Sequence, residues 1–237
     1  MIIRLVTIAA LSAALLGCSP DKPVDTVKNA ILPLDKTVTL GGALSHYRYC
    51  DEKSASWRED TTKKGAREVI FSCTLTDAGE AFGELYANSL VGMVSGGLAG
   101  LAGGNFFMLP EEAPEPAEAE RLLDGLLDKL QAGDEVREAV HRSVDPYKVN
   151  GASVEFHFAM DKTDARRFEP KTALLHLEWK DRNSTVELQM PAALSAVYAD
   201  RSILSEAARD NAFEDIVREA WDAAKPAANP ALQEQKL

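Results

Sequence analysis

The sequence predicts an α+β fold in which small antiparallel sheets pack against amphipathic helices, and two kinds of periodicity carry that reading. Val69, Phe71, Cys73 and Leu75 alternate with Ile70, Ser72 and Thr74, and the same two-residue period returns in 154–160, 175–179 and 186–190. Elsewhere Leu122, Leu123, Leu126, Leu127 and Leu130, and later Phe213, Ile216, Val217, Ala220, Trp221 and Ala224, recur at helical spacing.

The chain begins with one positive residue, Arg4, followed by an uncharged and largely apolar run from Leu5 to Leu16. That run is too short to span a bilayer as a stable helix and has the layout of a secretory signal peptide, residues 1–17. Gly17 then stands directly before a cysteine. Leu15-Leu16-Gly17-Cys18 resembles the lipobox of bacterial lipoproteins, with Leu16 where a smaller residue is commoner. The resemblance implies that Cys18 becomes a lipidated N-terminus bearing a diacylglycerol and an amide-linked acyl chain such as palmitate. Several chains matter, because each buried methylene contributes about 0.8 kcal/mol and one chain alone binds only marginally. Ser19, standing where an aspartate commonly retains such proteins at the inner membrane, implies an outer-membrane anchor facing the periplasm.

The chain has 237 residues, enough for one large domain or two small ones, and its charge of 26 minus 37, or −11, is acidic. Such a surface excludes nucleic acid and adsorption to anionic lipid as partners, leaving the N-terminal lipid as the membrane attachment. Of three cysteines, assigning Cys18 to lipid leaves Cys50 and Cys73 as an even pair. Their spacing matches neither a redox CxxC nor a zinc pair, so a disulfide is expected.

Taken in order, residues 18–34 read as the lipidated N-terminus and a tether, with prolines at 20, 23 and 33. Residues 35–109 hold a β-hairpin region and a glycine-rich apolar helix. From Thr37 the pattern turns extended, with Tyr47, Tyr49 and Trp57 before a polar turn at 60–65, and the hairpin is braced by Cys50 and Cys73. Residues 89–109 carry no charge and six glycines, of which Gly92, Gly96, Gly100 and Gly104 recur every fourth residue. This series resembles the glycine zippers of membrane-associated proteins, and it implies a flat helix-packing face open to burial, self-association or insertion.

Residues 110–117 form a Pro/Glu linker, and 118–225 an α+β region. Its leucine stripe ends at Gly133, a C-terminal cap, after which Asp134 caps a helix with Val136, Ala139 and Val140. Three strands follow. A tight turn at Arg182-Asn183 sets Trp179 opposite Val186 and Leu177 opposite Leu188, keeping the apolar residues on one face. One helix over 192–209, with Leu194, Val197, Tyr198 and Leu204, and a second capped by Asn211 cover that face. Residues 226–237 read as a disordered tail.

The polar side of this sheet brings together His157, His176, Glu178, Glu187 and Gln189, with Glu178 facing Glu187 and His176 facing Gln189. A polar outer face is the ordinary state of an antiparallel sheet, so no catalytic residue, metal ligand or cofactor is assigned. Glu138 and His141, at i, i+3 spacing, make a single unrepeated pair. No nucleophile elbow, zinc-protease motif or phosphate-cradling loop is present. The expected function is therefore that of a membrane-anchored lipoprotein acting through contact with a protein partner, in a structural or accessory role in the cell envelope. Two alternatives accompany it: an immunity-type lipoprotein that neutralises an envelope-targeting toxin, and a metal-dependent hydrolase on the His157/His176 face.

Overall fold

Along Gly151–Met160 every second side chain is buried, and the burial continues in register across its neighbours. The computed structural model describes residues 22–63, 65–93, 115–208 and 212–224. Among them, β1 (Ser56–Thr61), β2 (Arg67–Thr74), β3 (Gly151–Met160), β4 (Phe168–Glu178) and β5 (Asn183–Leu188) form one antiparallel sheet in chain order. The expected hairpin and three-stranded sheet are thus two parts of a single sheet. Their seam is β2 against β3, where Val69 faces Phe158, Phe71 faces Phe156 and Cys73 faces Val154. These residues, with Ala173, Leu175 and Leu177 of β4, form the apolar face against which the helices pack.

The β1–β2 turn needs Gly65, whose φ of +76° lies in the left-handed region while its N–H reaches the carbonyl of Thr62. The disulfide joins Cys50 to Cys73, as expected, with Cα atoms 5.7 Å apart. Cys50 is not part of β1. It makes an isolated antiparallel bridge with Leu75, and Trp57 pairs with Phe71.

The β4–β5 turn differs from the expected one. The two-residue loop is Lys180-Asp181, closed by the Trp179 N–H on the Arg182 carbonyl at 2.8 Å, and Val186 stands opposite Leu175. Relative to the expected pairing the register is displaced by four residues. An even displacement keeps each side chain on its own face, so the apolar assignment survives the error.

The N-terminal stretch is more ordered than a tether. Helix α1 (Pro23–Lys28) buries Val27, and α2 (Leu40–Ser45) replaces the extended chain expected there, burying Leu40 and Leu44. The two meet at Gly41, where a Cβ would lie 2.9 Å from the Cβ and the carbonyl oxygen of Lys28. Helix α3 (Ala78–Met93) buries Phe82, Leu85, Tyr86 and Leu90 and contains Gly92. Gly96, Gly100 and Gly104 lie outside the described residues, as do Cys18, Asn211, most of the 110–117 linker and the 226–237 tail.

Helix α4 (Pro116–Lys129) buries Leu123, Leu126 and Leu127 of the leucine stripe. Gln131, at φ +52°, rather than Gly133, supplies its left-handed exit, with the Ala132 N–H returning to the Leu127 carbonyl at 2.9 Å. Gly133 is instead the extended N-cap of α5 (Asp134–Val144). The single helix expected over 192–209 is two, α6 (Met190–Tyr198) and α7 (Ile203–Ala208). Asp200, at φ +50°, breaks it, and the Arg201 N–H closes on Ala196. Helix α8 (Ala212–Ala223) buries Phe213, Val217 and Ala220 and sets Trp221 edge-on to Trp179 at 5.5 Å. Trp179 in turn donates its indole N–H to the Pro146 carbonyl at 2.8 Å, so its one polar atom is satisfied inside the core.

Candidate binding face

The side chains of the sheet that alternate with the core point away from the apolar face. Ser153, Glu155, His157 and Ala159 of β3 are half-buried where Val154, Phe156 and Phe158 are fully buried. On this face the register sets Arg58 of β1 beside Ile70 of β2, and Ile70 beside His157 of β3. Neighbouring strands are about 4.8 Å apart, so a long side chain can cross one strand to reach the next but one.

Two cations do so. The Arg58 guanidinium passes over β2 to Glu155 on β3, bonding Oε1 at 2.8 Å, and Ile70 beneath it is only 2 % exposed. From the other side, the Lys171 ammonium crosses β3, where the row between Glu68 and Glu169 offers only the small Ala159, and reaches Glu68 Oε1 at 2.5 Å. Lys171 has this reach because the register of β4 slips at that point: His157 pairs with Thr172 and Phe158 with Pro170, leaving Lys171 as the extra, unpaired residue of a bulge. Pro170, which has no N–H to give the ladder, is suited to such a position.

His157 lies between the two carboxylates. Its Nδ1 is 3.2 Å from Glu68 Oε2 and its Nε2 is 3.2 Å from Glu155 Oε2. The doubly protonated imidazolium satisfies both contacts as a donor, whereas a neutral ring satisfies one. His176 adds a second ring: its Nδ1 is 2.9 Å from Thr185 Oγ1, and its Nε2 is 3.6 Å from Glu155, in ion-pair range but beyond a hydrogen bond. Burial pushes the Glu68 carboxyl up, but the hydrogen bonds and charges of Lys171 and His157 outweigh it and hold the group below its ordinary value. Glu155 follows the same balance, with burial opposed by Arg58, by the His157 hydrogen bond and by the charge of His176.

Of the residues singled out in the sequence, His157 and His176 do share this cluster, through Glu155. The others do not pair as expected. Glu178 stands opposite Asn183, Glu187 opposite Leu174, and His176 opposite Thr185. Glu187 instead accepts a hydrogen bond from Thr172 at 2.7 Å. Glu138 pairs with Arg142 and His141 with Asp124, so that i, i+3 pair serves two separate contacts. Glu68, Glu155, Arg58 and Lys171 were not singled out; Pro170 within a strand pattern was the signal that could have placed the bulge and hence Lys171.

Chemically, the array is a set of charges that hold one another in place. Each carboxylate is matched by a cation and a ring, and among the described residues no three histidine, cysteine or acidic side chains converge to hold a metal ion. Compared with protein-family models, curated proteins and solved structures, the chain matches none of them.

Proposed function

We propose that this protein is a lipoprotein of the bacterial envelope, anchored through Cys18 in the outer membrane with its folded part facing the periplasm, and that it acts by binding a protein partner. The observation that carries the binding reading is the half-exposed sheet face, on which Arg58, Glu155, His157, Glu68 and Lys171 are fixed by one another across four strands. Side chains already immobilised lose little entropy when a partner docks, and a matched charge array favours one partner over others more than it adds raw affinity. The Cys50–Cys73 disulfide accords with a compartment outside the cytosol. Among the described residues no helix is long and apolar enough to cross a membrane, and this reading places the attachment in lipid at Cys18.

The formal charge of −11 favours a basic partner, and with it the narrower reading that the chain is an immunity-type lipoprotein neutralising a cationic envelope-targeting toxin. A photo-crosslinking residue at Ser153 or Thr172, on the open face, should trap a discrete partner in intact cells, while one at Glu135 on α5 should not. Mass spectrometry of the amino-terminal peptide should show a diacylglyceryl and an acyl group on Cys18. An unmodified thiol there would overturn the anchor, and the same crosslink from Glu135 as from the sheet-face positions would overturn the face.

A further inference from the structure

Of the four large apolar side chains that the described residues leave exposed, three stand on one loop: Ile31, Leu34 and Val38, at 58 %, 50 % and 37 %. The fourth, Val136, is on α5. The loop, residues 31–39, joins α1 to α2 and is held in place by its own bonds. Across its base the Leu40 N–H meets the Ala30 carbonyl at 2.7 Å. At its tip Asp35 Oδ1 accepts the N–H and the hydroxyl of Thr37 at 2.7 and 2.6 Å, the turn a short acidic side chain makes with nearby backbone. Of the run Ile31-Leu32-Pro33-Leu34, only Leu32 packs against the core. With both ends tied, the loop projects no more than about 15 Å, so its exposed apolar side chains share one small region.

Single apolar side chains on a surface are ordinary, whereas a group of them marks a contact. What this group faces follows from the chain ahead of it. Lys22 stands four residues after Cys18, a span of at most about 14 Å. Helix α1, six residues long, adds about 9 Å and leads directly into the loop. Lipid at Cys18 therefore keeps the loop one short linker and one short helix from the bilayer. Charge agrees with that placement: residues 22–39 carry three lysines and two aspartates, or +1, in a chain of −11. Lys36 lies on the loop itself, between Leu34 and Val38, where a lysine can lay its methylenes along apolar neighbours and leave its ammonium among headgroup phosphates.

We propose that this loop docks into the lipid surface, with Ile31, Leu34 and Val38 entering the boundary between headgroups and acyl chains and Lys36 meeting the phosphates of zwitterionic phospholipid. The inference rests on the Cys18 anchor and adds an orientation to it. A lipid on one residue leaves the folded part free to turn, while a second contact at the loop fixes which side faces the bilayer. Apolar insertion needs no anionic lipid, so the acidity of the chain does not oppose it.

Tryptophan emission of the full lipidated chain tests this in phosphatidylethanolamine–phosphatidylcholine vesicles, with and without brominated acyl chains, each variant being read against the parent. Leu34→Trp should add emission that is blue-shifted and mostly lost in the brominated vesicles. Val136→Trp, at an equally exposed site on α5, should add emission that bromine leaves intact. Placing Ile31→Ser and Val38→Ser beside Leu34→Trp should abolish most of the quenching while the chain still floats with the vesicles and keeps its circular dichroism spectrum. A floating chain in which both tryptophans are quenched, or neither is, would overturn the docking and leave the anchor standing. A blue shift at Leu34→Trp without quenching would show that protein covers the loop and would also overturn it. A chain that stays in solution with an unmodified Cys18 would overturn the anchor, and the docking with it.

Discussion

Ser202 donates its hydroxyl hydrogen to Asp77 across 125 residues of sequence, tying the start of α7 to the start of α3. The same oxygen accepts the Ser205 N–H, so one atom both caps a helix and satisfies half of a buried carboxylate. Ser202→Ala removes both contacts and leaves Asp77 with no side-chain donor. A loss of about 2–3 kcal/mol is expected from urea denaturation, with most of it restored by Ser202→Thr, which keeps a hydroxyl.

Gly41 sets the closeness of α1 to α2. Because a Cβ there would fall 2.9 Å from the Lys28 carbonyl, backbone rather than a flexible side-chain tip must move. Gly41→Ala should cost about 1–3 kcal/mol, the range for overpacking, despite alanine's better helix propensity. Thermal denaturation and limited proteolysis should show the damage at residues 22–45, with trypsin cleaving at Lys28 sooner than in the parent.

Acid should weaken the sheet through Glu68 and Glu155. Both carboxyls lie below their ordinary value of 4.5 in the folded chain. A depressed folded value means that stabilisation is fully present above the unfolded pKa and is lost as pH falls through the folded one, so the loss begins below about pH 4.5. Glu68→Gln should lower stability at pH 7, where the charge is paired with Lys171 and His157, and should flatten the acid limb of a stability-against-pH curve. Equal acid sensitivity of parent and variant would sink this account.

The disulfide closes a loop with a sequence separation of 23. In the chain-entropy account such a bridge stabilises by about 3.5 kcal/mol. Cys50→Ala/Cys73→Ala should therefore lower the unfolding free energy measured by urea denaturation by about that amount, and dithiothreitol should bring the parent to the variant's midpoint without affecting the variant.

Which faces are buried was readable from the sequence because a two-residue period survives any even error of register. The Trp179 hairpin, displaced by four residues from its expected pairing, still puts Val186 and Leu188 on the core side. Which strands become neighbours was not readable, because the period says that a strand has one wet and one dry face and nothing of what lies at its edge. Hence the β2–β3 seam and the Arg58–Glu155 and Lys171–Glu68 straps, which depend on it, went unforeseen. Helix α2 was hidden for another reason: Leu-Gly-Gly-Ala-Leu-Ser has poor intrinsic propensity, which the burial of Leu40 and Leu44 in the core overrides. Ala78, Phe82, Leu85, Tyr86 and Leu90 do recur at helical spacing, and they were the available signal for α3.

The pairing of β2 with β3 has a consequence for any protease that cuts between Met93 and Glu115. The two products, one ending with β1, β2 and α3 and the other carrying β3 to β5, remain laced together by seven paired rows from Glu68–Ala159 to Thr74–Ser153. Pulled apart, each would bare a long main-chain edge with unmet donors and acceptors. A nicked molecule should therefore stay whole on a sizing column, and separation of the two products there without denaturant would show that the seam does not hold them.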